Sequence, residues 1–255
     1  MLPGAMPRGS GPRMLELLRC IAAGEREFAL TEIAQKTGLA FSTVHRLLDS
    51  WVQFDLLERA GPKAYRIGPE LFRTASLISQ KFALDRLARP ILEEIWHTWH
   101  ETTSFCVLNR SARTATVTES LASPHPLKYV ITPHAVISMP WGSLGRAILA
   151  HLPADDVAMV LARDRLGPLS GRKLPPRREI DRDLARIRSR GYALFEDRAL
   201  NIAGVSAPVL QLNKEVIGSL GVTMPASRFS KRVKADLPAA VMEGAGRLGA
   251  ALGIR

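Results

Sequence analysis

The stretch LTEIAQKTGLAFSTVHRLLDSW, residues 30–51, decides how this chain is read. Thr31 is placed to cap a short helix, with Glu32 in the first turn where the positive end of the helix dipole favours an acid. That helix runs through Ile33 and Ala34 and stops at Gly38, the residue type that tolerates a left-handed C′ position. A second helix is expected from about Ala40 to Phe54, with Val44, Leu47, Leu48 and Trp51 forming an i, i+3, i+4, i+7 stripe. Ala34 is small enough for the two helices to cross closely, and Leu39, Val44 and Leu47 supply a shared core. The opposite face carries Phe41, Ser42, Thr43, His45, Arg46 and Asp49. Hydroxyls and an arginine near a helix start suit phosphate clamping and base-edge contact. A plain helical hairpin with a polar outer face fits the same two helices.

The flanks narrow that choice. Upstream, Met14, Leu17, Leu18 and Ile21 mark an amphipathic helix over Arg13–Ala23, ended by Gly24. Downstream, residues 56–59, 60–63 and 64–68 read as strand, turn and strand. Arg59, Lys63 and Arg66 lie on this hairpin, as on a wing that touches a phosphate backbone. Three helices followed by a basic hairpin predict a winged helix-turn-helix over residues 13–68, preceded by a flexible Pro/Gly tail at 1–12. A linker helix follows over 69–85, opened by Pro69.

From residue 86 to 255 the pattern becomes mixed. Helix continues over Leu87–His100, then strands are expected at Thr103–Arg110, Thr114–Leu121 and Leu127–Thr132. Helices follow at Gly142–His151, Ala154–Arg163 and Ile180–Arg190. Further strands are expected at Tyr192–Glu196, Val205–Leu212 and Glu215–Thr223, the last two joined at Asn213-Lys214, before a final helix over Ser230–Leu252. Hairpins packed with helices indicate an α+β domain on an antiparallel sheet.

Bulk properties bound the function. The 255 residues are 46% hydrophobic and 23% charged, an ordinary globular composition. The absence of an 18-residue apolar run argues against a membrane span, and two distant cysteines, Cys20 and Cys106, fit reduced thiols in a cytoplasmic protein. The net charge of +11 points to a polyanionic partner. Its distribution is misleading, however. Residues 1–85 hold 11 Lys+Arg and 9 Asp+Glu, whereas 86–255 hold 24 and 15. Ten basic residues crowd Arg163–Arg190, which reads as a solvated helix face and loop or an oligomer contact.

Taken in order, the motifs resemble the IclR family of regulators over about Arg13–Gly253. The N-terminal likeness rests on residues 30–34, 37–39, 42–48 and 65–68. The C-terminal likeness rests on LGRAILA at 144–150, RGYA at 190–193 and VSAPV at 205–209. The resemblance implies a GAF-like effector-binding domain and homo-oligomers, dimers or tetramers, with dimer contacts through the DNA-binding domains. It further implies a sequence-specific regulator of double-stranded DNA controlled by a small-molecule effector. Family anchors for small oxo acids carry over to Gly204 in place of a Cys, to Gly221 and Thr223 in place of two Ser, and to backbone N–H groups of Ser143 and Leu144. The acidic anchor falls within Leu194–Asp197. Two glycines in place of polar side chains, with Ile137, Met139, Trp141 and Leu144 nearby, favour a roomy apolar pocket for a carboxylate or aromatic acid. Alternatively, Met139 and Trp141 simply fill the core.

An enzyme is the competing class, a hydrolase-like domain fused to a winged helix. Trp141-Gly142-Ser143-Leu144-Gly145 lacks the glycine two residues before the serine that a nucleophile elbow needs. His97 and His100, with Glu93 and Glu101 near, lack a separate third-ligand motif. No catalytic residue, metal or cofactor is therefore expected. A protein-interaction adaptor is a third reading and predicts no salt-dependent DNA affinity.

Overall fold

The computed structural model describes residues 9–81 and 84–252, with the side chains of 79–85 excepted. The chain separates into two compact units, divided between residues 82 and 83.

The N-terminal unit begins with α1 (Ser10–Ala22), so residues 10–12 belong to a helix rather than to the expected tail. Residues 1–8 lie outside the described residues. Next come β1 (Glu27–Ala29), α2 (Leu30–Thr37), α3 (Phe41–Gln53), β2 (Leu57–Arg59), β3 (Ala64–Ile67) and α4 (Pro69–Lys81). β3 pairs antiparallel with both β1 and β2. Sequence reading missed β1, a three-residue strand whose only signal is its distant partner. Thr31 does not cap α2. Ala29 holds the N-cap with no side-chain hydrogen bond, because the extended backbone of β1 runs straight into the helix. Gly38 behaves as expected, with φ 67° and its N–H donating to Ala34 O at 2.9 Å. This left-handed residue turns α2 onto α3, and Ile33, Leu39, Val44, Leu48 and Trp51 pack with Leu17 of α1.

The C-terminal unit starts with α5 (Leu84–Trp99), so the expected 69–85 linker divides between α4 and α5, with 82–83 outside the described residues. Six antiparallel strands follow: β4 (Thr102–Asn109), β5 (Thr114–Leu121), β6 (Val136–Ile137), β7 (Ala193–Asp197), β8 (Ile202–Leu210) and β9 (Val216–Pro225). They order as β6-β5-β4-β9-β8-β7. The remaining helices are α6 (Ser143–Leu149), α7 (Ala154–Arg163), α8 (Arg177–Arg190) and α9 (Lys231–Leu252). Leu127–Thr132 forms no strand; the prolines at 124, 126 and 133 leave it a covering loop, and Val136–Ile137 supplies the edge instead. The β8–β9 connection spans residues 211–215, longer than the expected two-residue turn at Asn213-Lys214, with Lys214 left-handed at φ 63° and Gln211 N–H donating to Glu215 O.

Period-two alternation divides the sheet into two faces. Phe105, Val205, Ala207, Val209, Leu220 and Val222 pack against α5 and α9. Cys106, Leu108, Ala115 and Val117 on the other face pack with α6, α7 and α8. On that second face β8 and β9 present mostly small residues, and there α6 comes close.

Candidate nucleic-acid interface and ligand pocket

In the N-terminal unit, Phe41, Ser42, His45 and Arg46 are exposed on α3 and Thr43 is half-buried. They share one face because residues four apart stack along a helix. The expected wing arginines are partly committed. Arg59 Nη2 donates to Asp49 Oδ1 at 2.7 Å, and the same carboxylate lies 2.9 Å from His45 Nδ1 through Oδ2. Arg66 Nε donates to Glu58 Oε2 at 2.7 Å. Among the described residues, Arg46 and Lys63 take part in no such ion pair. The sequence showed the charges of this surface without their pairing.

The basic stretch 163–190 is equally engaged. Arg163 donates to Ala112 O and Arg113 O, Arg188 to Ala150 O and Arg190 to Tyr192 O. Arg172, Arg177 and Arg186 pair with Asp197, Asp181 and Asp183. Arg163, Arg172, Arg188 and Arg190 therefore tie loops and helix ends together within the domain, whereas Arg177 and Arg186 pair along α8.

In the C-terminal unit a cavity of about 440 Å³ opens between the start of α6, the strands β7–β9 and two loops. Trp141, Ser143, Leu144, Gly204 and Thr223 line it, as the sequence reading expected. Trp141 leaves the cavity open because its Nε1 donates to Asp164 O, 3.3 Å away, which holds the indole to the wall. Met139 and Gly221 do not line it. Met139 is fully buried in the core beneath α6, with its backbone against Gly145. At Gly221 a Cβ would stand 2.0 Å from Ser206 Oγ, so the space expected there is already occupied.

Ser206 Oγ donates to Ser143 Oγ at 2.8 Å, and Ser219 Oγ donates to Leu144 O at 2.9 Å. These two bonds fasten the first turn of α6 to the sheet. Ser143 accepts from Ser206, which leaves its own hydroxyl proton for the cavity. A Cβ on Gly204 would meet Ser143 Oγ at 2.7 Å and Thr223 Oγ1 at 3.5 Å, so both hydroxyls flank the bare backbone there.

Sequence reading missed the two covering loops. Tyr129, Val130 and Ile131 come from the loop taken for a strand, and Gly167–Ser170 from within the basic stretch. Their only sequence signal was the density of Pro and Gly. Asp197 is the one charged side chain on the wall among the described residues. Its oxygens accept N–H bonds from Ala199 and Leu200 and a guanidinium bond from Arg172. Tyr129 donates to Leu200 O at 2.7 Å. Burial, and secondarily the nearby Asp197 charge, push its phenol pKa up, so it is a neutral hydroxyl at ordinary pH.

Comparison with known proteins decides the assignment. Residues 77–249 match the model of the bacterial transcriptional regulator IclR C-terminal domain, and residues 12–61 that of the IclR helix-turn-helix domain. The chain belongs to the IclR family. It is 30% identical to the HTH-type transcriptional regulator BhcR of Paracoccus denitrificans, over 92% of this chain and 84% of that protein. It is 28% identical to the transcriptional repressor IclR of Escherichia coli, over 91% and 86%. A Microbacterium hydrocarbonoxydans IclR homologue complexed with 4-hydroxybenzoate shares the fold at TM-score 0.75 and 22% identity, covering 93% and 96%.

This IclR-family protein is accordingly a DNA-binding transcription regulator with an effector-binding C-terminal domain. Of its family-derived anchor positions, Ser143, Leu144, Gly204 and Thr223 line the cavity, as does Asp197 from the acidic segment, while Gly221 lies behind Ser206.

Proposed function

We propose that an aromatic carboxylate in this cavity sets the affinity of α3 and the wing for an operator. The observation that carries the reading is the cavity itself, which has apolar walls and a small polar floor at Ser143, Gly204 and Thr223. No cationic side chain lines it among the described residues, so a carboxylate would be held by the Ser143 and Thr223 hydroxyls and the N–H groups of Ser143 and Leu144. The ring would rest on Trp141, Leu144, Phe195 and Ile202. The 4-hydroxybenzoate bound by the Microbacterium homologue supports this class of effector.

Operator contacts fall to Ser42, Thr43, His45 and Arg46 on α3 and to Lys63, Arg59 and Arg66 on the wing. Two copies acting together would double a modest charge, as two-fold operators require. Exposed Phe72, Leu77 and Ile78 on α4 and Met14 and Leu15 on α1 support a homodimer through this unit. We assign no catalysis to the protein, since the Ser143 hydroxyl meets Ser206 where a hydrolase would place a base.

Thermal denaturation with a panel of aromatic acids tests the reading, because a native-state ligand raises the melting temperature by mass action. At least one acid should raise it and release the protein from DNA, and Thr223→Val should weaken both effects. A panel acid that releases DNA yet binds a Thr223→Val, Trp141→Ala variant normally would place the effector elsewhere.

A further inference from the structure

We propose that Phe41 reads thymine, its ring seated against the C5 methyl group in the major groove. The proposal rests on α3 being the recognition helix. An exposed apolar residue alone says little, since single ones are common on surfaces. Its place and its support carry the argument. Phe41 is the first residue of α3 and 56% exposed, the single apolar member of a face otherwise made of Ser42, His45, Arg46 and Asp49. The N-terminal residues of a recognition helix are those that meet base edges.

The ring is also held. Phe41 stacks on His45 with centroids 6.5 Å apart and 30° between planes. His45 is fixed by Asp49, and Asp49 by Arg59, whose guanidinium lies 5.3 Å from the centre of the Tyr65 ring. A chain of contacts thus runs from the helix start back to the wing, with the exposed apolar ring at its end. Among the groups a base pair exposes in the major groove, the thymine methyl is the apolar one.

The test uses a duplex enriched by the wild-type protein from a random-sequence library, with each thymine replaced singly by deoxyuridine. This exchange removes one methyl and keeps every hydrogen-bonding edge. Wild-type affinity should fall about fourfold at one thymine per half-site, the worth of one buried methyl. Phe41→Ala should bind the enriched duplex about tenfold more weakly and be indifferent to that same replacement, while Phe41→Leu keeps part of the discrimination. Because the side chain is exposed, Phe41→Ala should melt like the wild type.

A deoxyuridine penalty that persists in Phe41→Ala would overturn the proposal, as would an enriched duplex in which no thymine methyl matters. Uniform weakening by Phe41→Ala, equal on thymine and uracil duplexes, would also overturn it, because the ring would then pack on sugar and backbone. The recognition-helix assignment fails separately: Arg46→Ala, as well as Phe41→Ala, would leave affinity and footprint unchanged.

Discussion

The two faces of the sensor sheet are made by the same strands and serve opposite ends. Along β8 and β9, Ala203, Val205, Ala207, Val209, Leu220, Val222 and Met224 face α5 and α9 and are all but inaccessible to water. The intervening residues Gly204, Ser206, Ser219, Gly221 and Thr223 face α6 and the cavity. The first face gains stability from buried area. The second gives up side-chain volume so that a short helix can sit close and a cavity remain beside it. Alternation at period two lets one pair of strands do both.

Substitutions on the two faces should separate these roles. Leu220→Ala deletes a fully buried side chain between β9 and the α5/α9 layer and should cost about 3 kcal/mol. Chemical denaturation would measure that loss, and the folded fraction should still show the wild-type response to ligand. If the response disappeared as well, the two faces would not be separable. Gly221→Ala should cost about 2 kcal/mol by overpacking, because its Cβ meets both Ser206 and the Val205 carbonyl. A second change, Ser206→Gly, should recover part of that cost.

Ser206→Ala removes the hydrogen bond to Ser143 and should cost about 1 kcal/mol. Its larger effect should be a weaker thermal response to aromatic acids, because the first turn of α6 loses a fastening.

Acid should act on the α6 side. His151, just beyond α6, has its pKa lowered mainly by burial and also by the Arg188 charge, against a raising hydrogen bond from Nδ1 to Ala147 O. Its native pKa lies below its unfolded value of about 6.5, so the unfolded state takes up the proton first. Its contribution is therefore present above about pH 6.5 and is lost as the pH falls through the depressed native value. His151→Gln should flatten the stability profile between about pH 7 and pH 5. Thr223→Val should be nearly neutral for stability, within about 0.5 kcal/mol, while weakening the ligand response. Of these changes it separates ligand binding from folding most cleanly.

The sequence showed what local chemistry determines. Gly38 announced the turn between α2 and α3, and the 3.6-residue stripe of Val44, Leu48 and Trp51 announced the buried face of α3. What it could not show depends on distant partners. β1 exists because Glu27–Ala29 lie beside β3, some 35 residues on, and nothing within three residues signals that pairing. Val130 and Ile131 have the β-branched character of a strand, yet Tyr129 O accepts from the Thr102 hydroxyl and this segment covers the cavity instead. The pocket was half legible for a related reason. Residues 219, 221 and 223 share a face by periodicity, but which of them reaches the cavity depends on where α6 lies. That helix meets Ser219 through Leu144 O, Ser206 covers Gly221, and Thr223 is left on the cavity wall. Met139 is close in sequence to Trp141 and, like it, apolar, but it is fully buried in the core with α6, whereas Trp141 is held at the cavity wall by Asp164 O.

The paired wing has a consequence for how the protein searches DNA. Non-specific attraction to a duplex grows with the number of cations that displace condensed counterions, and each phosphate neutralised adds about 0.9 to the salt slope. Arg59 and Arg66 arrive already neutralised by Asp49 and Glu58, so at a phosphate they exchange one anion for another. Arg46 and Lys63 bring uncompensated charge, a small allotment for sliding along arbitrary sequence. Encounters with random DNA should therefore be brief and shallow. Residence time should come mainly from sites where base edges, rather than the backbone, complete the contact.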